Sequence, residues 1–530
     1  MAKLLQEKVE KPHIFPMSFT QQRLWFIDQL QPGNFANHIN TALRLTGSLN
    51  KVALLQTLNE ILRRHEVLRT TFATMEGKPV QVIIPNLSLG LPIINLEELT
   101  EVEQEAELHK LVTQEIQQPF DLSQAPLLRA TLLRLKETEH ILVFTMHHII
   151  SDGWSMGVLV KEVTALYEAF SRGKPSPLAE LPIQYVDFAS WQRQKLQGEV
   201  LKSQISYWKQ QLEGAPQLLE LPTDKPRPVV SSFYGATYSF ELSHELHMAL
   251  KKLSQQQGNT LFISLLAVFK TLLYRYTGSK DIVIGSPIAN RDRIELEGLI
   301  GLFANTIALR TNLAGNPTFE ELLTRVRKVA LGTNAHQDLP FEQLVEELQP
   351  QRSLSYTPVF QVMFALQNTP MSVLKLTGLT ISPFAIDNGS AKFDLILEIT
   401  ETADKLFANL EFNTDLFEAA SIKRMAGHFQ NLLKEITVNP KLRLSELSLL
   451  TESEQHQLLH EWNNTLVDYP QHQCIHKLFE AQVEKNSNAI AVIFEEQQLT
   501  YGELNAKANQ LAHHLRSLGV KPEVLVGICV

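Results

Sequence analysis

The chain is 530 residues long and 44 % apolar, enough for roughly two to four domains with substantial cores. A formal charge of -9 and the lack of any dense Lys/Arg run argue against a nucleic-acid partner; no leader-like apolar core and no run of membrane-spanning length is read in the sequence. Both cysteines, Cys474 and Cys529, fall in the last stretch, so the residues before them offer no disulfide and no thiolate metal site, in keeping with a reducing cytoplasm.

Residues 1–13 read as a charged N-terminal extension. Residues 39–45 carry a strand pattern that runs into Gly47, and residues 52–62 carry apolar positions at helical spacing. That helix delivers Arg63, Arg64 and Arg69, which read as groups answering the helix dipole and solvent. Residues 141–146 (ILVFTM) form a short apolar, partly β-branched run and predict a buried strand. Val158, Leu159, Val163, Leu166, Tyr167 and Phe170 then recur at helical spacing.

Between that strand and that helix lie His147, His148, Asp152 and Gly153. Alternation along a strand points the two histidines to different sides, so only one of them can line a given cavity. Asp152 is placed to cap the helix or hold a positive partner, and Gly153 is expected to supply backbone freedom at the turn.

Residues 213–228 hold Gly214, Pro216, Pro222, Pro226 and Pro228 and read as a linker between two lobes. In the second lobe a helix is predicted over 261–276, a strand over 281–286 and another helix over 319–331. Residues 451–470 suit a linker or short helix. Leu504, Ala508, Leu511, Ala512 and Leu515 predict a helix, and residues 524–530 a strand.

His147, His148, Asp152 and Gly153 match the H-H-x-x-x-D-G motif, and here the chain resembles the condensation domains of nonribosomal peptide synthetases. Further stretches are similar to that family's motifs in the family's order: residues 18–25 (SFTQQRLW), 64–72 (RHEVLRTTF), 185–191 (YVDFASW), 300–306 (IGLFANT), 336–342 (HQDLPFE) and, more loosely, 352–358. Residues 499–505 (LTYGELN) resemble the opening of an adenylation domain. The implied fold is α/β: two chloramphenicol-acetyltransferase-like lobes in a V-shaped pseudo-dimer over residues 14–445 (about 14–205 and 229–445). A linker over 446–474 and an incomplete α/β adenylation N-terminus over 475–530 follow.

The resemblance implies peptide-bond formation, with the amine of a downstream carrier-bound aminoacyl thioester attacking an upstream carrier-bound acyl thioester. No cofactor or metal is expected on this chain. The 4'-phosphopantetheine arms come on partner carrier domains, donor upstream and acceptor downstream, beside the adjoining adenylation domain; no nucleic acid and no membrane enter. His148 is expected to orient the amine and take its proton, while His147 is packed inside. Arg291, within residues 285–291 (GSPIANR), is expected to pair with Asp152 and make it structural. Residues 151–155 and 21–25 resemble the class joining an L-donor to an L-acceptor.

Three other readings compete: a starter-type N-acylating domain, a noncatalytic carrier-recruiting module, and a serine hydrolase. The last rests on residues 153–157 (GWSMG), which satisfy G-x-S-x-G with Ser155 as nucleophile and Asp394 and His428 as available partners. It leaves the two histidines and the other motifs unexplained, so Ser155 reads as an early helix residue whose hydroxyl at most helps satisfy a backbone donor. His336 and Asp338 suggest a catalytic pair, but their position before Pro340 reads as turn chemistry.

Overall fold

The structure, a computed structural model, describes residues 13–30, 33, 35–350, 353–367, 376–384, 389–402 and 404–529. Residues 1–12 of the expected extension and Arg352 of the loosest motif lie outside them. The chain divides into two compact units, Met1–Thr451 and Glu452–Val530.

The first unit opens with β1 (His13–Pro16) and α1 (Phe19–Leu30), then β2 (His38–Gly47) and α2 (Lys51–Arg64), whose cap is the Asn50 side chain accepting from the Ala53 amide. β3 (Thr70–Met75) and β4 (Lys78–Ile83) form a hairpin that β1 joins in a separate three-stranded sheet. There follow β5 (Ile93–Asn95), α3 (Glu101–Gln117), β6 (Leu128–Lys136), β7 (Glu139–His147) and α4 (Gly153–Ser171). β2, β7, β6 and β5 lie side by side in one sheet. β7 is central and apolar on both faces. Leu142, Phe144 and Met146 enter the core under α2 and α4, while Ile141 and Val143 enter a second core with Leu108, Val112 and Ile116 of α3. This two-sided burial is why its sequence reads as a continuous apolar run and not as an alternation.

α5 (Tyr185–Lys195) and α6 (Gly198–Leu212) lead to the second lobe. Trp208 and Leu212 of α6 already belong to that lobe's core, as do Leu219 and Leu221 of the Pro-rich tract. The tract is therefore packed: the Asp224 and Lys225 amides donate to the Leu416 carbonyl at 2.9 and 3.2 Å. The second lobe continues with β8 (Gly235–Leu242), α7 (Leu261–Thr277), β9 (Asp281–Ile288), β10 (Asn305–Asn312), α8 (Phe319–Asn334) and β11 (Val362–Gln367). α7 is buried over most of its length and stops at Gly278, whose φ of 69° lets its amide close on the Tyr274 carbonyl.

β12 (Leu379–Pro383) then returns to the first lobe and pairs antiparallel with β2, Leu379 opposite Gly47 and Pro383 opposite Leu43. β13 (Leu395–Glu401), β14 (Leu406–Asn413) and α9 (Ala419–Val438) complete the second lobe, whose sheet runs β10-β9-β11-β13-β14-β8. Exchange runs both ways, because Leu296, Leu299, Ile300, Leu302 and Phe303 pack into the first lobe's core.

The second unit holds a short helix Glu452–His456, α10 (Ile475–Lys485), a hairpin of β15 (Ile490–Phe494) and β16 (Gln497–Thr500), and α11 (Tyr501–Ser517), started by a Thr500/Glu503 capping box. The strand expected over 524–530 does not form across the described residues 524–529. Apolar sequence alone does not make a strand, and the two-stranded ladder here supplies no third partner.

Candidate active site

β7 ends at His147, and the chain turns through one helical turn, His148–Ile150, before α4 begins. His147 is 2 % exposed. Its Nδ1 accepts from the Ile149 amide at 3.1 Å, which leaves the proton of the neutral ring on Nε2. His148 has the opposite tautomer. Its Nδ1 stands 2.8 Å from the Ser151 carbonyl, which can only accept, so Nδ1 carries the proton and Nε2 keeps its lone pair. His148 is half-buried, and its Nε2 has no partner among the described residues.

Burial and the Lys392 cation hold the His148 imidazole below the ordinary histidine range. His147 is pushed well below it by burial, then by His38 and His148. Both rings are thus neutral near pH 7, and only His148 presents a free lone pair.

Asp152 holds this turn in place. Its carboxylate caps α4 through the Ser155 amide at 2.9 Å and accepts from the Phe303 and Ala304 amides at 2.9 and 3.1 Å. Arg291 clamps it bidentately at 2.9 and 3.1 Å, with both side chains excluded from water at 0 % and 1 %. The guanidinium also lies 4.2 Å from the Phe303 ring centroid. The structure therefore brings Asp152 and Arg291 together across the lobe junction.

Ser155 is more deeply engaged than its position in the sequence suggests. It is 0 % exposed, its Oγ reaches Asp152 Oδ1 at 2.7 Å and the Gly301 carbonyl at 3.0 Å, and it accepts from the Gly301 amide at 3.1 Å and Arg291 Nη2 at 3.0 Å. Gly301 has no room for a side chain, since a Cβ would sit 2.2 Å from the Tyr185 ring. The Tyr185 hydroxyl is fixed in turn by Ser18 and the Leu302 carbonyl, each at 2.8 Å. Gln21 Nε2 donates to the Ile149 carbonyl at 3.3 Å. The stretches around residues 18–25, 185–191, 285–291 and 300–306 thus converge on residues 147–155.

Gly153 corrects an expectation. Its φ is not in the left-handed region and a Cβ there would meet nothing, so neither conformation nor packing demands glycine. The exposed start of α4 simply has open space beside it. The hydrolase triad does not assemble either: Asp394 pairs with Arg227, and His428 Nδ1 bonds the Tyr276 hydroxyl at 2.6 Å. His336 stacks on Tyr207 and bonds the Gly332 carbonyl, while Asp338 pairs with Lys195 at 2.7 Å. Arg64 and His65 both contact the buried Glu162, whereas Arg69 holds the Leu62 and Ile84 carbonyls. Arg63 alone of these arginines stays in exposed pairs, with Glu60 and Glu180.

Two residues that act on the histidines carry no local motif. His38 faces His147 across the β2–β7 ladder, ring centroids 6.0 Å apart, and Lys392 lies in the passage from β12 to β13. A strand polar residue directly opposite a motif residue would have been the signal for His38; none exists for Lys392.

Because Ser155 is sealed, a fluorophosphonate should leave the chain unlabelled at that residue. Ser155→Ala should nonetheless melt lower, losing about 1–3 kcal/mol as buried donors lose their acceptor. Stoichiometric labelling of Ser155, read by peptide mass spectrometry, would restore the hydrolase.

A family model described as Condensation domain matches residues 11–459, and one described as AMP-binding enzyme matches residues 479–530. One linear gramicidin synthase polypeptide, from Brevibacillus parabrevis, is 49 % identical over 524 residues, covering 98 % of this chain and 10 % of that protein. Chondramide synthase cmdD of Chondromyces crocatus is 45 % identical over 98 % of this chain and 13 % of its own length. The chain spans about a tenth of the length of these relatives. Among solved structures, the X-domain in its complex with OxyB from teicoplanin biosynthesis is 30 % identical with a TM-score of 0.75, over 83 % of this chain and 97 % of that one. The four-domain nonribosomal peptide synthetase holo-AB3403, bound to AMP and glycine, has a TM-score of 0.82 at 24 % identity, over 96 % of this chain and 39 % of that one, a likeness of fold.

Proposed function

The chain belongs to the condensation-domain family of nonribosomal peptide synthetases, amide-forming acyltransferases, with the start of an AMP-binding domain behind it, and on that premise we propose how its residues form a peptide bond. The amine of an aminoacyl thioester on a downstream carrier attacks the carbonyl of a thioester on an upstream carrier. A C–N bond forms, the C–S bond breaks, and the donor arm departs as its thiol. His148 Nε2 takes the proton shed by the nitrogen and returns it to the leaving sulfur. Both 4'-phosphopantetheine arms are substrates carried in by partners, and the adjoining adenylation domain supplies the acceptor's amino acid. Residues 151–155 and 21–25 support a donor and acceptor of L-configuration, and the reducing setting suggested by the cysteines supports a cytoplasmic site of action.

The observation that carries this reading is the tautomer of His148, whose Nδ1–H is spent on Ser151 while Nε2 is unpartnered among the described residues. Arg291 is a positioning residue on this reading. Asp152 and Arg291 fix the turn and touch no substrate. His147 serves packing, and Gly153 leaves open space at the start of α4.

Recruitment without catalysis is the second reading, favoured by the likeness to the X-domain whose solved structure is a complex with OxyB. One experiment separates them: mass spectrometry of the chain mixed with two carriers loaded with different aminoacyl groups. A dipeptide on the acceptor carrier is expected. Carrier binding without any dipeptide, across a panel of loaded pairs, would favour recruitment.

A further inference from the structure

His147 holds a proton that no described residue accepts. Its Nδ1 is taken by the Ile149 amide at 3.1 Å, so the hydrogen of the neutral ring sits on Nε2. A complementary group stands directly across the ladder. His38 of β2 is the register partner of His147, and side chains opposite one another in an antiparallel pair are neighbours on one face of the sheet. The two ring centroids are 6.0 Å apart, with the planes at 70°.

His38 has the reverse need. Ile116 lies in the last turn of α3, whose final carbonyls lack intrahelical donors, and His38 Nδ1 stands 2.8 Å from its oxygen. A carbonyl can only accept, so Nδ1 carries the His38 proton and Nε2 keeps the lone pair. That Nε2 is buried and has no partner among the described residues. Burial holds the His38 ring below the ordinary histidine range, so near pH 7 the lone pair is retained. Phe120 closes the group, its ring edge-on to His38 at 5.0 Å and to His147 at 6.3 Å. The Arg129 guanidinium covers Phe120 at 3.9 Å and is itself tied to Glu115 at 2.7 Å. All three rings are buried, so bulk water does not compete for the two nitrogens.

We propose that His38 is a positioning residue for condensation: its Nε2 is the acceptor for the His147 Nε2–H, and this pairing locks the ring that carries the turn leading to His148. The inference rests on the reading of His148 given above. Donation then runs one way, from the Ile149 amide to His147, from His147 to His38, and from His38 to the Ile116 carbonyl. A backbone group fixes each end, so one combination of tautomers satisfies every member. The centroid separation is about an ångström wider than a direct bond between ring nitrogens requires. A small rotation of either ring, or one bridging water, closes that gap without altering either tautomer. Without the acceptor, His147 is free to turn or change tautomer, and the Ile149 amide that begins the turn loses its hold.

The test uses the full chain labelled with 15N in its histidine rings, with His147→Asn identifying the His147 signals, together with single-turnover condensation between loaded carriers. Two substitutions separate the lone pair from the ring. His38→Gln keeps an acceptor and loses the ring, whereas His38→Phe keeps a ring against Phe120 and has no acceptor. His38→Gln should retain the parent's rate and a hydrogen-bonded His147 Nε2–H. His38→Phe should lower the rate about five- to tenfold, the loss expected for one hydrogen bond, and shift the His147 Nε2 signal. All variants are read below their melting temperatures. A His147 signal unmoved in His38→Phe overturns the proposal, as does a glutamine variant as slow as the phenylalanine one. A signal that shifts while the rate holds would instead overturn the reading of His148. The two failures are distinguishable, since the resonance reports the contact between His38 and His147 without any turnover.

Discussion

His148→Ala lowers the single-turnover rate of dipeptide formation by ~10²- to 10⁴-fold, the range of general base catalysis, with little change in melting temperature. The substitution removes one hydrogen bond, to the carbonyl of buried Ser151, worth about 1 kcal/mol, and leaves the Asp152 cluster untouched. The parent's rate should fall on the acid side of a midpoint below the usual histidine value, because burial and Lys392 favour the neutral ring. The amine sets a second limit. With a pKa of about 7.7 to 8.0 it is partly neutral at physiological pH without help, so the histidine's leverage is bounded. Holding both thioesters in register can lower the barrier by up to ~7–11 kcal/mol, more than proton transfer supplies. Loss below about tenfold would assign catalysis to placement of the substrates.

Asp152→Ala and Arg291→Ala destabilise the first unit by about 3–5 kcal/mol, since each strands a charge that water cannot reach. The two are not equivalent. Without Asp152, the Arg291 cation, the Ser155 hydroxyl and the Phe303 and Ala304 amides lose an acceptor together. Without Arg291, the carboxylate still accepts from Ser155 and both amides. Asp152→Ala should therefore melt lower than Arg291→Ala, and a double-mutant cycle should show strong coupling. Activity should fall in step with the loss of the folded junction. Either variant inactive yet as stable as the parent, by calorimetry, would give that residue a direct part in the chemistry.

Local pattern in the sequence was sufficient for the elements that position the site. Residues 141–146 became the body of β7, and the helical spacing after Gly153 became α4. The Asp152–Arg291 pair spans distant parts of the chain, and only the resemblance to a known family linked them. Ser155 was underestimated for the same reason: two of its partners, Gly301 and Arg291, come from the other half of the chain. Lys392 sits in no motif and no periodic segment. Gly153 erred the other way. Glycine after aspartate suggested a turn that needs backbone freedom, but the backbone there is ordinary and a side chain would find open space. Residues 524–529 show the limit of apolar content as evidence, because a strand exists only where a neighbour pairs with it.

The return of β12 to β2 bears on how the protein is made. As synthesis proceeds, β2, β7, β6 and β5 emerge early, but the outer edge of β2 has no partner until residues 379–383 leave the ribosome. At ~5–20 residues per second that interval lasts tens of seconds. For that time the nascent first lobe carries an open edge able to pair with a neighbouring chain on the same message. Chimeras joined within residues 213–228 inherit the difficulty permanently, since a first lobe from one parent must accept its last strand from the other. Such a graft should recover solubility when residues 376–384 are exchanged along with the N-terminal half.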